Sequence, residues 1–285
     1  MPLLRAATPP STTPTATAAV ACGLPPHSYL IERIGQTRVT VTTLIRPGAN
    51  PHSFEPTPGQ IATLGQARVY FKAGVEFEEI LVPKLVAMFP QLKIVDLREG
   101  IKPLLASVCA SDHDHAEHEH APQVDPHQWL APLNASIQAE AITRSLIAID
   151  GAGAALYQAN LTALQAELGA VHAELSASLK PYHGRSVYVY HPAFGYFCEA
   201  YGLKQIPVEI EGREPSPRQL SQLIASARDS GTKVIFVQPQ FNPRSAEIVA
   251  KAIGGVVVEM DDLSPNYIAN LHTLAARLKS AFGTR

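Results

Sequence analysis

Histidine is concentrated in one stretch of this sequence, and its neighbours there suggest chemistry with metal ions. Of the 11 histidines among 285 residues, five lie in SDHDHAEHEHAPQVDPHQWLAP, residues 111–132. Four of the five alternate with acidic residues: His113, His115, His118 and His120. Imidazoles and carboxylates bind cations, but ordering a polar chain costs roughly 1–2 kcal/mol per residue, so we expect only a weak site here. The alternative is a solvated linker with incidental metal affinity.

A second set of metal-binding side chains lies where the predicted strands end. His52, His191 and Asp261 each follow a β-branched run, and His127 stands in VDPHQWLAP just before a helix. Ligands of α/β sheets bind beyond the carboxyl ends of the strands, which favours convergence of these side chains. Three imidazoles and one carboxylate suit four-coordinate zinc, whereas harder ions such as Mn²⁺ prefer more oxygen ligands.

The strength of this hypothesis lies in the set of four, because a single histidine after a strand is usually an ordinary polar residue. The spacing between the four adds nothing, and Asp262 is an alternative to its neighbour Asp261. The remaining histidines outside the tract are interpreted as ordinary polar residues: His27, His172, His183 and His272.

The elements that must position these residues alternate between strands and helices. Six β-branched runs are apolar on both faces, as in parallel sheets that helices cover. They occupy residues 39–45, 67–73, 93–97, 186–190, 233–237 and 256–260. Two helix starts are marked by a capping residue, a proline and then a glutamine, at Thr57 and Ser216. The alternation predicts an α/β fold.

One long helix separates two groups of strands. The first group ends before residue 100 and the second begins after residue 185. Between them apolar residues recur at steps of three and four from Leu161 to Leu175, which is a helical stripe, and no proline interrupts it before Pro181. We predict two lobes, each a parallel sheet flanked by helices, joined by this helix. The alternative is a single domain with a long surface helix.

The chain divides accordingly into four predicted parts. They are a disordered segment (1–17), an N-terminal lobe (18–133) carrying the His-rich loop 111–121, a helical region (134–183) and a C-terminal lobe (184–285). The first segment is rich in Pro, Thr and Ala and has no charged region followed by ~7–15 apolar residues, so it contains no clear signal peptide.

Composition excludes several classes of protein. The chain is 46% hydrophobic and 17% charged with a net charge of −2, which argues against a nucleic-acid partner. No apolar run approaches the ~20 residues of a membrane span. The three cysteines form no CxxC pair, so a cysteine zinc site is not expected.

Five short motifs carry a resemblance to a known family. They are HSFEPTP (52–58), DPHQWLAP (125–132), YHPAFGYF (190–197), EGREPSP (211–217) and MDDL (260–263). In order and approximate spacing they resemble the metal-binding receptors of bacterial ABC importers for zinc and manganese. The resemblance covers roughly residues 18–283.

That resemblance implies two lobes joined by a rigid helix, with one metal ion in the interlobe cleft. Matched motif by motif, His52 and His127 would be ligands from the first lobe, and His191 and Asp261 from the second. Zinc is favoured because His191 stands where manganese receptors tend to have a carboxylate, and because zinc receptors often carry a His-rich acidic loop. The loop would capture zinc for the cleft.

The function expected is an extracytoplasmic zinc receptor, periplasmic or at the cell surface, that acts as a monomer with the membrane permease of an ABC importer. A manganese or iron receptor of the same family is the nearest alternative. A metal-dependent adhesin would share the fold. A zinc hydrolase with Asp261 or Asp262 as general base is disfavoured, since neither HExxH nor GxSxG occurs. We therefore expect binding and no enzymatic activity.

Overall fold

Two parallel four-stranded sheets, one in each half of the chain, form the framework of the fold. The computed structural model describes residues 17–106, 124–209 and 215–283. The first sheet has the order β2-β1-β3-β4 and the second β6-β5-β7-β8, with every pair parallel. The strands are β1 (Ala18–Cys22), β2 (Val39–Thr43), β3 (Val69–Lys72), β4 (Lys93–Asp96), β5 (Ser186–Val189), β6 (Lys204–Pro207), β7 (Val234–Val237) and β8 (Val256–Glu259). The predicted fold class is confirmed.

Two strands were absent from the sequence prediction. β1 has the sequence AAVAC, and alanine has low strand propensity. It is nevertheless an inner strand, with Ala21 and Cys22 fully buried between β2 and β3. β6 is an edge strand that reads KQIP and ends in proline, a composition that lacks a strand signal. In both strands the sheet neighbours outweigh local propensity.

Helices flank both sheets, and one of them connects the lobes. They are α1 (Pro25–Gly35), α2 (Pro58–Leu64), α3 (Glu76–Met88), α4 (Pro132–Ile149), α5 (Ala154–Leu179), α6 (Gly195–Ala200), α7 (Pro217–Asp229), α8 (Arg244–Ala252) and α9 (Tyr267–Gly283). The predicted capping boxes are present, since Thr57 and Ser216 each accept the backbone N–H of a glutamine three residues on. None of the helices described is long and apolar enough to span a membrane.

The long helix α5 is about 39 Å long at 1.5 Å per residue and runs between the lobes. Its buried stripe contains the apolar positions that the sequence predicted, from Leu161 to Leu175. It packs against α1 and α4 on the first lobe and against α9 on the second. One apolar cluster therefore continues from the first lobe through α4 and α5 into the second, and a smaller cluster lies under α7 and α8.

A buried carboxylate fixes the start of α3, which lies beside the ends of the strands. The Glu78 carboxylate is 0% exposed and accepts hydrogen bonds from the Tyr70 hydroxyl (2.8 Å), Gly74 N (2.6 Å) and Val75 N (3.3 Å). Burial raises the pKa of Glu78 from 4.5 to about 7, although these hydrogen bonds oppose the shift.

Glu78 should make the stability of the fold depend on pH. Because the folded-state pKa is raised, its contribution is fully present below pH 4.5 and is lost as the pH rises through 7. The free energy of unfolding of the wild type relative to Glu78→Gln should therefore fall by about 3 kcal/mol between pH 4.5 and 8. Urea denaturation across this range measures it. Glu99→Gln at an exposed position is the matched control. A pH-independent difference for Glu78→Gln would refute the assignment.

Candidate metal centre

Three histidines from distant parts of the chain meet at the carboxyl ends of the two sheets. One nitrogen from each of His52, His127 and His191 lies within 4.8 Å of the others. The Nε2 atoms of His52 and His191 are 2.9 Å apart, and the ring centroids of His127 and His191 are 5.2 Å apart. Within the described residues, no other group of three or more His, Cys, Asp or Glu side chains converges in this way.

Neighbouring side chains fix the backbone of His52 and of His191. His52 lies in a single helical turn, Pro51–Ser53. The Asn50 side chain caps this turn by accepting a hydrogen bond from His52 N at 2.9 Å. His191 directly follows β5, and Gln238 clamps its backbone by accepting His191 N (3.3 Å) and donating to His191 O (2.7 Å). These contacts fix where the imidazoles can point.

Each of the three converging histidines has a carboxylate in contact with its Nδ1 atom. His52 pairs with Glu76 at the start of α3. His127 pairs with Asp125 at 2.8 Å, and the same oxygen accepts His127 N at 2.9 Å. His191 pairs with Glu209 at 2.5 Å. This carboxylate–histidine arrangement is the one that orients imidazole ligands of metals and raises their basicity.

The three pairs determine what the converging nitrogens can do. When each Nδ1 donates its hydrogen to its carboxylate, each neutral imidazole keeps a lone pair on Nε2. The lone pairs of His52 and His191 then face one another at 2.9 Å, which is repulsive without a cation. Tetrahedral zinc with bonds of 2.0–2.1 Å separates its ligand atoms by roughly 3.4 Å, so a small shift of these rings would accommodate it.

Burial and neighbouring charges tune the protonation of the site. His191 is buried, and this lowers its pKa well below 6.5, with repulsion from His127 and His52 acting in the same direction. A neutral imidazole is the form that binds metal. Burial also lowers the pKa of His127, but Asp125 reverses the shift and raises it overall. Hydrogen bonding from His52 lowers the pKa of Glu76.

The two neighbouring aspartates after β8 occupy different environments. Asp261 Oδ1 accepts hydrogen bonds from Gln240 Nε2 and Leu263 N, both at 3.0 Å, and Asp261 does not line the cavity between the histidines. Asp262 lines that cavity and is buried, and its Oδ1 has no hydrogen-bond partner. Burial raises the pKa of Asp262 to about 6, against the attraction of His127.

The cavity between the histidines is small and has both polar and apolar walls. Its volume is about 10 Å³, close to the roughly 10–15 Å³ that a single water needs. Besides the three histidines it is lined by Pro51, Val75, Trp129, Gln240, Phe241, Asp262 and Leu263. The space therefore suits one monatomic ion.

The sequence identified some of the surrounding shell and missed the rest. Closeness in sequence predicts that Asp125 and Glu55 orient His127 and His52. Asp125 does contact His127, but Glu76 is the residue that contacts His52. Glu209 was missed as well, because it follows β6, the strand without a sequence signal. The tract with His113, His115, His118 and His120 lies outside the described residues.

Loss of an orienting carboxylate should lower the affinity of the site for zinc. Glu209→Gln removes the carboxyl group behind His191 but keeps the size of the side chain. We expect zinc affinity to fall about 10–100-fold, as for other orienting carboxylates. Competition with a chelating dye measures it, with Glu247→Gln on the exposed face of α8 as control. Equal zinc affinities for wild type and Glu209→Gln would contradict this role.

Comparison with known proteins identifies the family. The family described as "ZnuA: Zinc-uptake complex component A periplasmic" matches residues 20–281. The high-affinity zinc uptake system protein ZnuA of Bacillus subtilis is 30% identical over 246 residues, which are 80% of this chain and 73% of that protein. A crystal structure of ZnuA is 35% identical with a TM-score of 0.84, covering 93% of this chain and 99% of the other. A zinc-bound 138–173 deletion mutant of ZnuA is 34% identical with a TM-score of 0.86, covering 94% and 99%. The chain therefore belongs to the ZnuA family of metal-binding receptors.

Proposed function

We propose that this protein is a high-affinity Zn²⁺ receptor that acts outside the cytoplasm and delivers the ion to the membrane permease of an ABC importer. The observation that carries the proposal is the convergence of three imidazoles, each backed by a carboxylate, on one ion-sized cavity. Zinc is the metal named in the ZnuA relatives, and nitrogen-rich four-coordinate binding suits zinc better than manganese. Because one chain completes the site, a monomer suffices.

The proposed ligands are His52, His127, His191 and one aspartate. The sequence motif favours Asp261, but Asp262 lines the cavity and its buried Oδ1 has no hydrogen-bond partner, whereas Asp261 is engaged by Gln240. We therefore propose Asp262 as the fourth ligand. A bound cation would neutralise a carboxylate that burial otherwise penalises.

The proposed activity is binding without catalysis. A catalytic zinc keeps one coordination position open for water or substrate. Here a cavity of about 10 Å³ holds an ion and leaves no space for a substrate beside it. The apolar core that continues through α5 also favours small tilting of the lobes over wide closure during uptake and release.

The experiment that tests the proposal is a zinc titration of the chelator-stripped full chain against a competing dye, beside a variant lacking residues 112–120. One tight equivalent in both proteins supports a cleft site. Weaker equivalents lost with the deletion would assign them to the accessory tract of His113, His115, His118 and His120. Loss of the tight equivalent in the deletion variant would place the main site in the tract and overturn the proposal.

A further inference from the structure

Helix α6 of the second lobe lies directly against Asp125, the carboxylate that contacts His127. The first residue of α6, Gly195, is buried, and a Cβ atom placed on its backbone would stand 2.3 Å from Asp125 Oδ2 and 3.5 Å from Asp125 Cγ. The first distance is closer than real Cβ atoms approach a neighbouring heavy atom. The backbone of α6 can therefore come this near to Asp125 only because position 195 has no side chain.

Asp125 has little room to move away from such a contact. It is 1% exposed, its Oδ1 accepts His127 N at 2.9 Å and contacts His127 Nδ1 at 2.8 Å. Its own backbone N–H donates to Leu104 O at 2.8 Å. A carboxylate is planar, so a rotation that carries Oδ2 away from α6 also carries Oδ1 away from His127. A displacement of Asp125 is therefore passed to the imidazole that it orients.

Contacts on both sides hold α6 in this position. The Tyr196 hydroxyl accepts Leu104 N at 2.9 Å and donates to Lys102 O at 3.3 Å, which ties the first turn of α6 to the first lobe. On its other side Phe194 and Phe197 are fully buried in the apolar core. Close-packed interiors yield little when atoms are added to them, so the helix cannot simply withdraw from the first lobe.

We infer that Gly195 is a positioning residue of the metal centre, because its lack of a side chain lets α6 pack behind Asp125 without displacing the carboxylate from His127. This inference rests on the proposed function. Gly195 lies four residues after His191 in the motif YHPAFGYF. One short segment of the second lobe would then supply one ligand of its own and support a ligand of the first lobe.

The test measures the zinc affinity of chelator-stripped, full-length Gly195→Ala by dye competition. The added methyl group should displace Asp125, and we expect the zinc Kd to rise about 10–100-fold, the loss that is usual when a group orienting a metal ligand is disturbed. Gly169→Ala is the matched control, because it adds the same methyl group to a helix, α5, where a Cβ atom meets nothing within 4 Å. Its zinc Kd should equal that of the wild type.

A double-mutant cycle with Asp125→Ala separates positioning from general damage. Asp125→Ala alone should also weaken zinc binding. Adding Gly195→Ala to it should change the zinc Kd by less than about twofold, because no carboxylate remains to be displaced. Losses that multiply in the double variant would overturn the inference, as would wild-type zinc affinity in either Gly195→Ala or Asp125→Ala.

Thermal unfolding of the metal-free variants shows whether each one folds. If Gly195→Ala alone does not fold, a folded double variant with Asp125→Ala would still support the inferred contact, and an unfolded double variant would overturn it. A wild type without a tight zinc equivalent would overturn the proposed function itself. Multiplying losses in a protein whose wild type binds zinc tightly would overturn only the role of Gly195.

Discussion

Replacing His191 with alanine is expected to weaken zinc binding by more than the about 10–100-fold that loss of an orienting carboxylate costs. His191 is 6% exposed and is kept neutral, and its Nε2 points at His52. The substitution removes one proposed ligand and also leaves Glu209 buried without its imidazole partner. Dye-competition titration of the chelator-stripped protein measures the loss.

The control for this variant is His272→Ala. His272 lies on α9, its side chain is 40% exposed, and it pairs with Glu174 at 3.3 Å. Its removal should leave zinc affinity unchanged. Thermal unfolding of the metal-free variants separates a lost ligand from a lost fold. Wild-type zinc affinity in a folded His191→Ala protein would remove His191 from the site.

Replacing Trp129 with alanine is expected to destabilise the fold by about 3–5 kcal/mol. The indole is fully buried, with its ring 5.4 Å from His27 and 5.3 Å from His127 between centroids. Its Nε1–H donates to Asp262 O at 2.8 Å, and its own carbonyl accepts from the Tyr267 hydroxyl. Both contacts join the first lobe to the second, so the lost volume and the lost hydrogen bond act at the lobe junction.

Urea denaturation of the metal-free protein gives the free energy of unfolding for this comparison. Ile80→Ala on the outer face of α3 is the control, since Ile80 is 66% exposed and its loss should cost within about 0.5 kcal/mol. A Trp129→Ala variant as stable as Ile80→Ala would mean that the indole does not hold the lobes together.

The regular parts of the fold could be predicted because their signals are local. The stripe on α5 repeats over several turns, and the capping boxes at Thr57 and Ser216 each occupy four consecutive residues. β1 and β6 could not be predicted in this way. Alanines become favourable in β1 only when two neighbouring strands and their helices enclose it, and that is a property of the tertiary structure.

The candidate site likewise contains residues that the sequence could predict and residues that only the folded structure brings together. Placement after strands was enough to select His52 and His191, because parallel strands bring their carboxyl ends to one edge, whereas His127 was selected by its place before a helix. Glu76, in contrast, reaches His52 across 24 positions of sequence, and no motif links them. The difference between Asp261 and Asp262 depends on which side chain Gln240 engages, a contact that only folding creates.

The most direct test of the central claim is X-ray absorption spectroscopy at the zinc edge, on full-length protein loaded with one equivalent of Zn²⁺. A site built by His52, His127, His191 and one aspartate predicts a four-coordinate first shell of three nitrogens and one oxygen at about 2.0–2.1 Å, with the outer-shell scattering of three imidazoles. A six-coordinate shell dominated by oxygen, or a shell with fewer than three imidazoles, would contradict it.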